Sequence, residues 1–184
     1  FASPTLTQDA FMSLFRKIIL LFALLPLTGQ ALAQQLPVPP TLDARSWLLL
    51  EMGSGQVLTA ERPDERLEPA SLTKLMTAYL TFAALRQKTI AINQPIPVSQ
   101  KAWKTGGSKM FIKVDTQVPV EDLIKGMIVQ SGNDACVALA EAIAGSEENF
   151  AQMMNREAKR LGMNATHFTN STGLPDPQHY TTAR

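Results

Sequence analysis

Ser71 and Lys74 form the arrangement Ser-x-x-Lys within the segment Pro-Ala-Ser-Leu-Thr-Lys at 69–74. Residues three places apart lie on the same face of a helix, so the lysine amine would come within reach of the serine hydroxyl. A serine is a weak nucleophile at neutral pH, but a desolvated lysine with a lowered pKa can accept its proton. With only two fixed positions, the pattern also arises by chance as a helix cap followed by a solvated lysine. It indicates catalysis only in combination with other features.

A second polar turn, Ser-Gly-Asn at 131–133, follows 60 residues after Ser71. Glycine permits a tight turn between the two helices predicted on either side. The hydroxyl of Ser131 can pass a proton to a leaving amine, and the amide of Asn133 can hold a peptide group by two hydrogen bonds. Taken alone, the turn fits an ordinary connection between helices. If this turn faces Ser71 and Lys74, the combination predicts a site of nucleophilic catalysis.

The elements that position these residues are predicted to be a small β-hairpin followed by a mostly helical body. Segments 46–51 and 55–60 predict two strands that are joined by a glycine turn. Apolar residues at three- and four-residue steps after Lys74 predict a core helix that ends near Arg86. Prolines at 95 and 97 exclude a helix and a central strand there. Further helices are predicted over 120–130, 134–144 and 147–161, the last capped by Ser146.

Three segments resemble the low-molecular-mass penicillin-binding proteins, which are serine D-Ala-D-Ala carboxypeptidases. They are the segment at 69–74, Gln-Ser-Gly-Asn-Asp-Ala at 130–135 and Tyr-Thr-Thr-Ala-Arg at 180–184. The resemblance runs from about residue 42 to the end of the sequence. It implies an α+β fold of the penicillin-binding protein and serine β-lactamase type (DD-peptidase fold). The chain would supply its helical subdomain and an N-terminal β-hairpin of an incomplete antiparallel sheet.

For the site, the resemblance implies Ser71 as the acyl-ester nucleophile, Lys74 as its proton acceptor and Ser131 as the proton relay. Asn133 would bind the substrate peptide and help to position Lys74. Ser71 would attack the carbonyl between the two terminal D-alanines of a peptidoglycan stem peptide and release one D-Ala, and water would hydrolyse the acyl-enzyme. The Ser71 N–H would form half of an oxyanion hole. β-Lactam antibiotics would inhibit by acylating Ser71, and the role would lie in cell-wall biogenesis without a cofactor.

The sequence departs from this family in its third motif, Lys-Thr-Gly on a sheet strand. Lys-Thr-Gly at 104–106 has the right letters but precedes Ser131 and lies in a loop of the helical part, so it is rejected. The chain is therefore expected to be the amino-terminal fragment of a longer protein. The missing part would hold the rest of the catalytic domain and any C-terminal membrane-anchoring segment.

Several alternatives remain open. A class A β-lactamase shares Ser-x-x-Lys, but it has Ser-Asp-Asn in the second motif and a glutamate that activates the deacylating water. No acidic residue lies between Lys159 and Pro175, which disfavours that enzyme. A DD-endopeptidase would use the same chemistry on peptide cross-links. An alternative of another class, motivated by the absent third motif, is an exported protein that binds peptidoglycan or β-lactams without turnover.

Composition excludes some partners and sites. The 17 basic and 16 acidic residues give a net charge of +1, so nothing suggests a nucleic-acid partner. The single Cys136 lies among apolar residues and is predicted to be a buried, inert thiol. His167 and His179 are the two histidines, and neither lies in a cluster of ligands, so no metal site is predicted.

The N-terminal region predicts export. Residues 12–33 combine a charged start, a short apolar run and a terminal Ala-x-Ala, which is the pattern of a secretory signal peptide. Residues 1–11 are interpreted as a non-native extension upstream of the true start. Residues 34–41 are predicted to be a linker, and residues 42–184 a partial DD-peptidase catalytic domain. The expected location is the periplasm, with association to the inner membrane through the C-terminal segment of the full-length protein.

Overall fold

The structure is a computed structural model that describes residue 12, residues 38–39 and residues 41–184. The chain divides into two units, residues 1–40 and residues 41–184. The predicted extension at 1–11 and the body of the predicted signal peptide at 12–33 lie outside the described residues and stay predictions. The helices and strands that position the site lie in the second unit.

An antiparallel hairpin opens the second unit, as the sequence predicts. Strand β1 (Trp47–Leu50) pairs with strand β2 (Val57–Glu61), with Leu48 opposite Ala60. The Glu51 carboxylate accepts hydrogen bonds from the backbone N–H groups and hydroxyl in the turn, which hold its pKa at about 2. The turn residues therefore fix the hairpin register locally.

The helix predicted after Ser71 is present, but its α-helical part starts slightly later than expected. A 3₁₀ turn covers Ala70–Leu72, and helix α1 follows over Thr73–Arg86. Its buried face combines Met76 and Leu80 with three threonines at four-residue spacing. The buried threonines are Thr73, Thr77 and Thr81.

The prediction that the apolar residues after Lys74 form the core face of this helix is partly wrong. Leu75 is 71% exposed, and Tyr79 and Phe82 are also exposed. The helix instead turns its threonine stripe inward, because the hydroxyls of Thr73 and Thr77 find buried hydrogen-bond partners in the chain segment around residues 169–179.

The centre of the helical body is helix α4 (Asn133–Ala144), which follows α2 (Gln100–Lys104) and α3 (Val120–Val129). Residues 133–140 are all buried, and α4 packs against α1, α2, α3 and α5 (Glu147–Arg160). The stretch 135–140 within α4, Ala-Cys-Val-Ala-Leu-Ala, is apolar on every side, which suits such a position. Cys136 lies in it and is buried, as predicted, and burial raises the pKa of its thiol to about 12.

The predicted boundaries of α3, α4 and α5 agree with the structure to within one residue. Ser146 caps α5 by accepting a hydrogen bond from the Asn149 N–H at 3.1 Å. The sequence did not predict α2 or a second ribbon, in which β3 (Pro95–Pro97) pairs with β4 (Gln117–Pro119). A two-stranded ribbon has only edge strands, so it tolerates the prolines that would disrupt a central strand. In the part of the chain that is described, every helix is too short or too polar to cross a bilayer.

Candidate active site

Ser71 lies in the 3₁₀ turn that leads into α1, with its residue exposed at the surface. The preceding residue, Ala70, has a φ of 46°, in the left-handed region that residues other than glycine rarely adopt. The Leu72 N–H donates to the Pro69 carbonyl oxygen at 3.1 Å and closes the turn. The sequence therefore presents a solvent-accessible hydroxyl on a strained, hydrogen-bonded turn, which is common at functional sites.

Lys74 lies one helical turn beyond Ser71, but it is buried, with 8% of the residue exposed. Its Nζ donates to Ser71 Oγ at 3.2 Å and to the Thr172 carbonyl oxygen at 2.7 Å. Burial lowers the pKa of the amine from its ordinary value, because desolvation disfavours the charged form. A lysine of this kind holds more of the neutral form that can accept the Ser71 proton.

Ser131 is the second side chain that contacts Ser71. It lies in the turn between α3 and α4 with a φ of 54°, and its Oγ donates to Ser71 Oγ at 3.1 Å. The turn is fixed because the Gly132 N–H donates to the Gly126 carbonyl oxygen at 3.0 Å. Ser71 therefore has one hydroxyl and one amine in contact with its Oγ, as the two motifs predict.

Asn133 joins the site to the loop at 105–108. Its Nδ2 donates to the Gly106 carbonyl oxygen at 2.8 Å, and its backbone N–H donates to Ser108 O at 2.7 Å. Its Oδ1 is buried and accepts no hydrogen bond from the described residues. Among the described hydrogen bonds, Lys74 and Asn133 share none, so the expected help in positioning Lys74 is not seen as a direct bond.

The Lys-Thr-Gly sequence at 104–106 ends helix α2 and enters this loop, in agreement with its rejection as a sheet-strand motif. Its glycine carbonyl is the acceptor for Asn133. The segment thus shapes the edge of the site through its backbone.

Asp134 supports the site from within α4, a role that the sequence analysis missed. Its buried carboxylate accepts hydrogen bonds from the N–H groups of Met110 at 3.0 Å, Ile112 at 3.2 Å and Ala135 at 3.0 Å. The carboxylate therefore fixes the chain that follows the 105–108 loop. Its position in the first turn of a helix was the available signal.

The segment 170–174 (the clamp loop) supplies the Thr172 carbonyl that binds Lys74, and it too was missed. The Asn170 Oδ1 accepts hydrogen bonds from Thr172 N at 3.1 Å, Thr172 Oγ1 at 3.0 Å and Gly173 N at 2.7 Å. The Ser171 carbonyl accepts a hydrogen bond from Thr77 Oγ1 at 2.7 Å. An asparagine that closes a tight turn before glycine was the only local signal of this loop.

Gly173 is packed against the turn that carries the nucleophile, with a φ of 86°. A Cβ at this position would lie 1.8 Å from the Ala70 carbonyl oxygen. We expect Gly173→Ala to lower the free energy of unfolding by about 3 kcal/mol or more, because a backbone clash adds to the left-handed strain. Urea denaturation measures the loss.

Gly162→Ala is the matched control for this substitution. Gly162 has a φ of 81°, but a Cβ there would meet nothing within 4 Å. We expect this variant to lose about 1–2 kcal/mol from the left-handed conformation alone. Equal losses in the two variants would contradict a specific clash beneath the nucleophile.

His179 connects the clamp-loop region to α1. Its Nδ1 accepts a hydrogen bond from the Thr169 N–H at 3.1 Å, so the proton of the neutral ring lies on Nε2, which donates to Thr73 Oγ1 at 2.8 Å. The ring is buried, and burial lowers its pKa from the ordinary value. A proton on Nδ1 would break the bond to Thr169.

This contact predicts a pH dependence of stability. The unfolded chain binds a proton at His179 below about pH 6.5, whereas the folded chain resists protonation there. The contribution of the neutral ring to the free energy of unfolding is therefore full above that pH and declines as the pH falls further. We expect the urea midpoint of the wild type to fall between about pH 7.5 and about pH 5.5 more than that of His179→Gln. An equal fall in the wild type and in His179→Gln would contradict the assignment to His179.

Comparison with known proteins identifies one family for this chain. The profile of the D-alanyl-D-alanine carboxypeptidase family matches residues 33–184. D-alanyl-D-alanine carboxypeptidase DacC of Escherichia coli is 46% identical over 158 residues, which cover 83% of this chain and 40% of the relative. D-alanyl-D-alanine carboxypeptidase DacA of Haemophilus influenzae is 45% identical over 149 residues, 79% of this chain and 38% of the relative.

A solved structure shows the same fold. The D-alanyl-D-alanine carboxypeptidase DacD from Francisella tularensis has a TM-score of 0.75 and 43% identity, over 80% of this chain and 36% of that chain. The predicted α+β, DD-peptidase-like fold is therefore confirmed. The chain spans about 40% of the length of the curated relatives it matches. With the family profile matched over residues 33–184, this chain belongs to the D-alanyl-D-alanine carboxypeptidase family.

Proposed function

We propose that this chain supplies the nucleophile, base and proton relay of a penicillin-sensitive serine D-Ala-D-Ala carboxypeptidase. The enzyme removes the terminal D-Ala from peptidoglycan stem pentapeptides during cell-wall biogenesis. One observation carries the proposal: Ser71 Oγ is in hydrogen-bond contact with both the buried Lys74 amine, at 3.2 Å, and the Ser131 hydroxyl, at 3.1 Å. Membership of the carboxypeptidase family supports the choice of substrate.

Acylation begins when neutral Lys74 accepts the Ser71 proton and Oγ attacks the carbonyl carbon between the two D-alanines. The backbone N–H of Ser71 stabilises the oxyanion that develops. The C–N bond then breaks, and the leaving amine receives a proton from the Lys74 ammonium through the Ser131 hydroxyl. D-Ala departs, and the remaining peptide is joined to Ser71 as an ester.

Deacylation reverses the same proton transfers with water as the nucleophile. Lys74 and Ser131 accept the proton of water, the new C–O bond forms, and the bond from carbon to Ser71 Oγ breaks as the serine regains its proton. Asn133 is the proposed substrate-binding residue, because it follows the Ser131 turn and its Oδ1 has no hydrogen-bond partner among the described residues, so a peptide N–H could satisfy it once the side chain turns toward the substrate.

The proposed partners follow from this chemistry. The substrate is a stem peptide that ends in D-Ala-D-Ala, and β-lactams acylate Ser71 as inhibitors. Export to the periplasm is proposed from the signal-peptide pattern at 12–33. Attachment to the inner membrane would depend on a C-terminal segment of the full-length protein.

Penicillin labelling of the full-length gene product that carries this sequence tests the proposal. Incubation with benzylpenicillin is expected to add the mass of one penicillin to the peptide that contains Ser71, as mapped by mass spectrometry. Release of D-Ala from diacetyl-Lys-D-Ala-D-Ala is expected in the same preparation. An adduct at another residue would overturn the assignment of the nucleophile.

Three further readouts separate the alternatives. Labelling of Ser71 without release of D-Ala would favour a non-catalytic β-lactam-binding protein. Rapid cleavage of a cross-linked peptide dimer, with slow release of D-Ala from the monomer, would favour a DD-endopeptidase. Continuous turnover of a chromogenic cephalosporin would favour a β-lactamase.

A further inference from the structure

Glu147 bonds to the clamp loop through Ser171, and the mechanism above does not use it. It is the first residue of α5, and its side chain is 10% exposed. Its Oε1 accepts hydrogen bonds from the Ser171 N–H at 3.1 Å and from Ser171 Oγ at 2.8 Å. Its Oε2 pairs with Lys101 Nζ at 3.0 Å. One carboxylate therefore ties α2, α5 and the clamp loop together.

The clamp loop connects Glu147 to Lys74, the proposed base. Ser171 bonds to Glu147 through its N–H and hydroxyl, and its own carbonyl accepts from Thr77. The next carbonyl, that of Thr172, accepts the hydrogen bond from Lys74 at 2.7 Å. The Thr172 carbonyl shares a planar peptide unit with the Gly173 N–H, which donates to Asn170 Oδ1 at 2.7 Å, so the direction of this carbonyl depends on the placement of the loop that Ser171 anchors.

We propose that Glu147 is a positioning residue for Lys74. Its carboxylate holds Ser171, and so it sets the carbonyl that aims the Lys74 amine at Ser71. This inference rests on the proposed function, because its consequence is a rate of acylation. Glu147 acts through the clamp loop and does not touch Ser71.

A carboxylate suits this position because three donors converge on it. Hydrogen bonds to an ionised acceptor are stronger than bonds between neutral groups. Removal of the side chain would leave the buried Ser171 N–H and hydroxyl without their acceptor, which is costly. A glutamine keeps one oxygen for Ser171 and loses only the ion pair with Lys101.

The chain offers a matched control in Glu148. Its Oε1 binds the same Lys101 Nζ at 2.6 Å, but its side chain is 71% exposed and forms no described bond to the clamp loop. Glu148→Ala therefore removes a neighbouring charge and an ion pair with the same lysine. It leaves the bonds to Ser171 in place.

The experiment measures acylation by a fluorescent penicillin over a range of concentrations, in the full-length gene product. This separates the rate constant of acylation from the dissociation constant of the initial complex. We expect Glu147→Ala to lower the rate constant about tenfold to a hundredfold, with the dissociation constant nearly unchanged, since small misplacement of a catalytic group has effects of this size. Glu147→Gln should restore most of the rate, and Glu148→Ala should stay within about twofold of wild type.

The outcomes are distinct. If the wild type is not acylated at Ser71, the proposed function fails and this inference fails with it. If the wild type is acylated and folded Glu147→Ala reacts at the wild-type rate, only the inference is overturned. An equal loss in Glu148→Ala, or a loss confined to the dissociation constant, would also overturn it. Should Glu147→Ala not fold, Ser171→Ala removes one bond from the loop side and is expected to slow acylation; an unchanged rate there overturns the proposal.

Discussion

Ser71→Ala is expected to abolish both acylation by penicillin and release of D-Ala. Loss of a nucleophile of this kind lowers turnover by at least about a thousandfold, because no other group can form the acyl bond. Ser71 is exposed in the turn before α1, and Lys74 keeps the Thr172 carbonyl as an acceptor when the hydroxyl is removed. The fold should therefore persist, with a change in unfolding free energy within about 0.5 kcal/mol.

Intact-mass analysis after exposure to benzylpenicillin, release of D-Ala and thermal denaturation together check this expectation. Ser54→Ala is the control, because Ser54 is an exposed residue of the hairpin turn that bonds only to nearby turn residues. It should retain labelling and activity. A covalent adduct in Ser71→Ala at the wild-type rate would mean that another residue is the nucleophile.

Lys74→Ala is expected to slow acylation by at least about a hundredfold at pH 7, the usual contribution of a positioned general base. The substitution removes the only amine in the described structure that contacts Ser71 Oγ. The truncated side chain also leaves the Thr172 carbonyl without its donor, so thermal denaturation must accompany the kinetic measurement.

The sign of the pH dependence follows from the buried amine. Only neutral Lys74 can accept a proton, and burial lowers its pKa, which extends the active range toward neutral pH. The wild-type acylation rate should fall as acidification protonates this amine, and Lys74→Ala should lose that fall. Lys125→Ala, which removes an exposed lysine paired with Glu121, should keep the wild-type profile. Undiminished acylation in Lys74→Ala would remove this residue from the mechanism.

Local features of the sequence predicted local structure well. The glycine turn of the hairpin, the cap at Ser146 and the helix after the Ser-x-x-Lys segment are each specified by neighbours within a few residues. Such signals depend on backbone conformations and side-chain capping bonds that are available to a short segment. The same reasoning placed Lys74 one turn from Ser71.

Long-range parts of the site could not be predicted in this way. The contact from Ser131 to Ser71 spans 60 residues, so periodicity cannot predict it; the combination of the two motifs and the family resemblance do. The bond from Lys74 to Thr172 spans 98 residues and ends on a backbone carbonyl, which any residue type can supply. Glu147 and its bonds to Ser171 have no sequence signature either, because a glutamate in the first turn of a helix is ordinary.

The left-handed backbone at Ala70 and Ser131 has a consequence for how this protein can change. Each such residue costs of the order of 1–2 kcal/mol, a sizeable share of a total stability of about 5–15 kcal/mol. Selection for heat resistance alone would therefore favour glycine at position 70, where it would relax the turn that presents the nucleophile. Stability gained in this way would loosen the backbone that positions Ser71 and Ser131, so adaptation to higher growth temperature is expected to use gains elsewhere, such as tighter packing around α4.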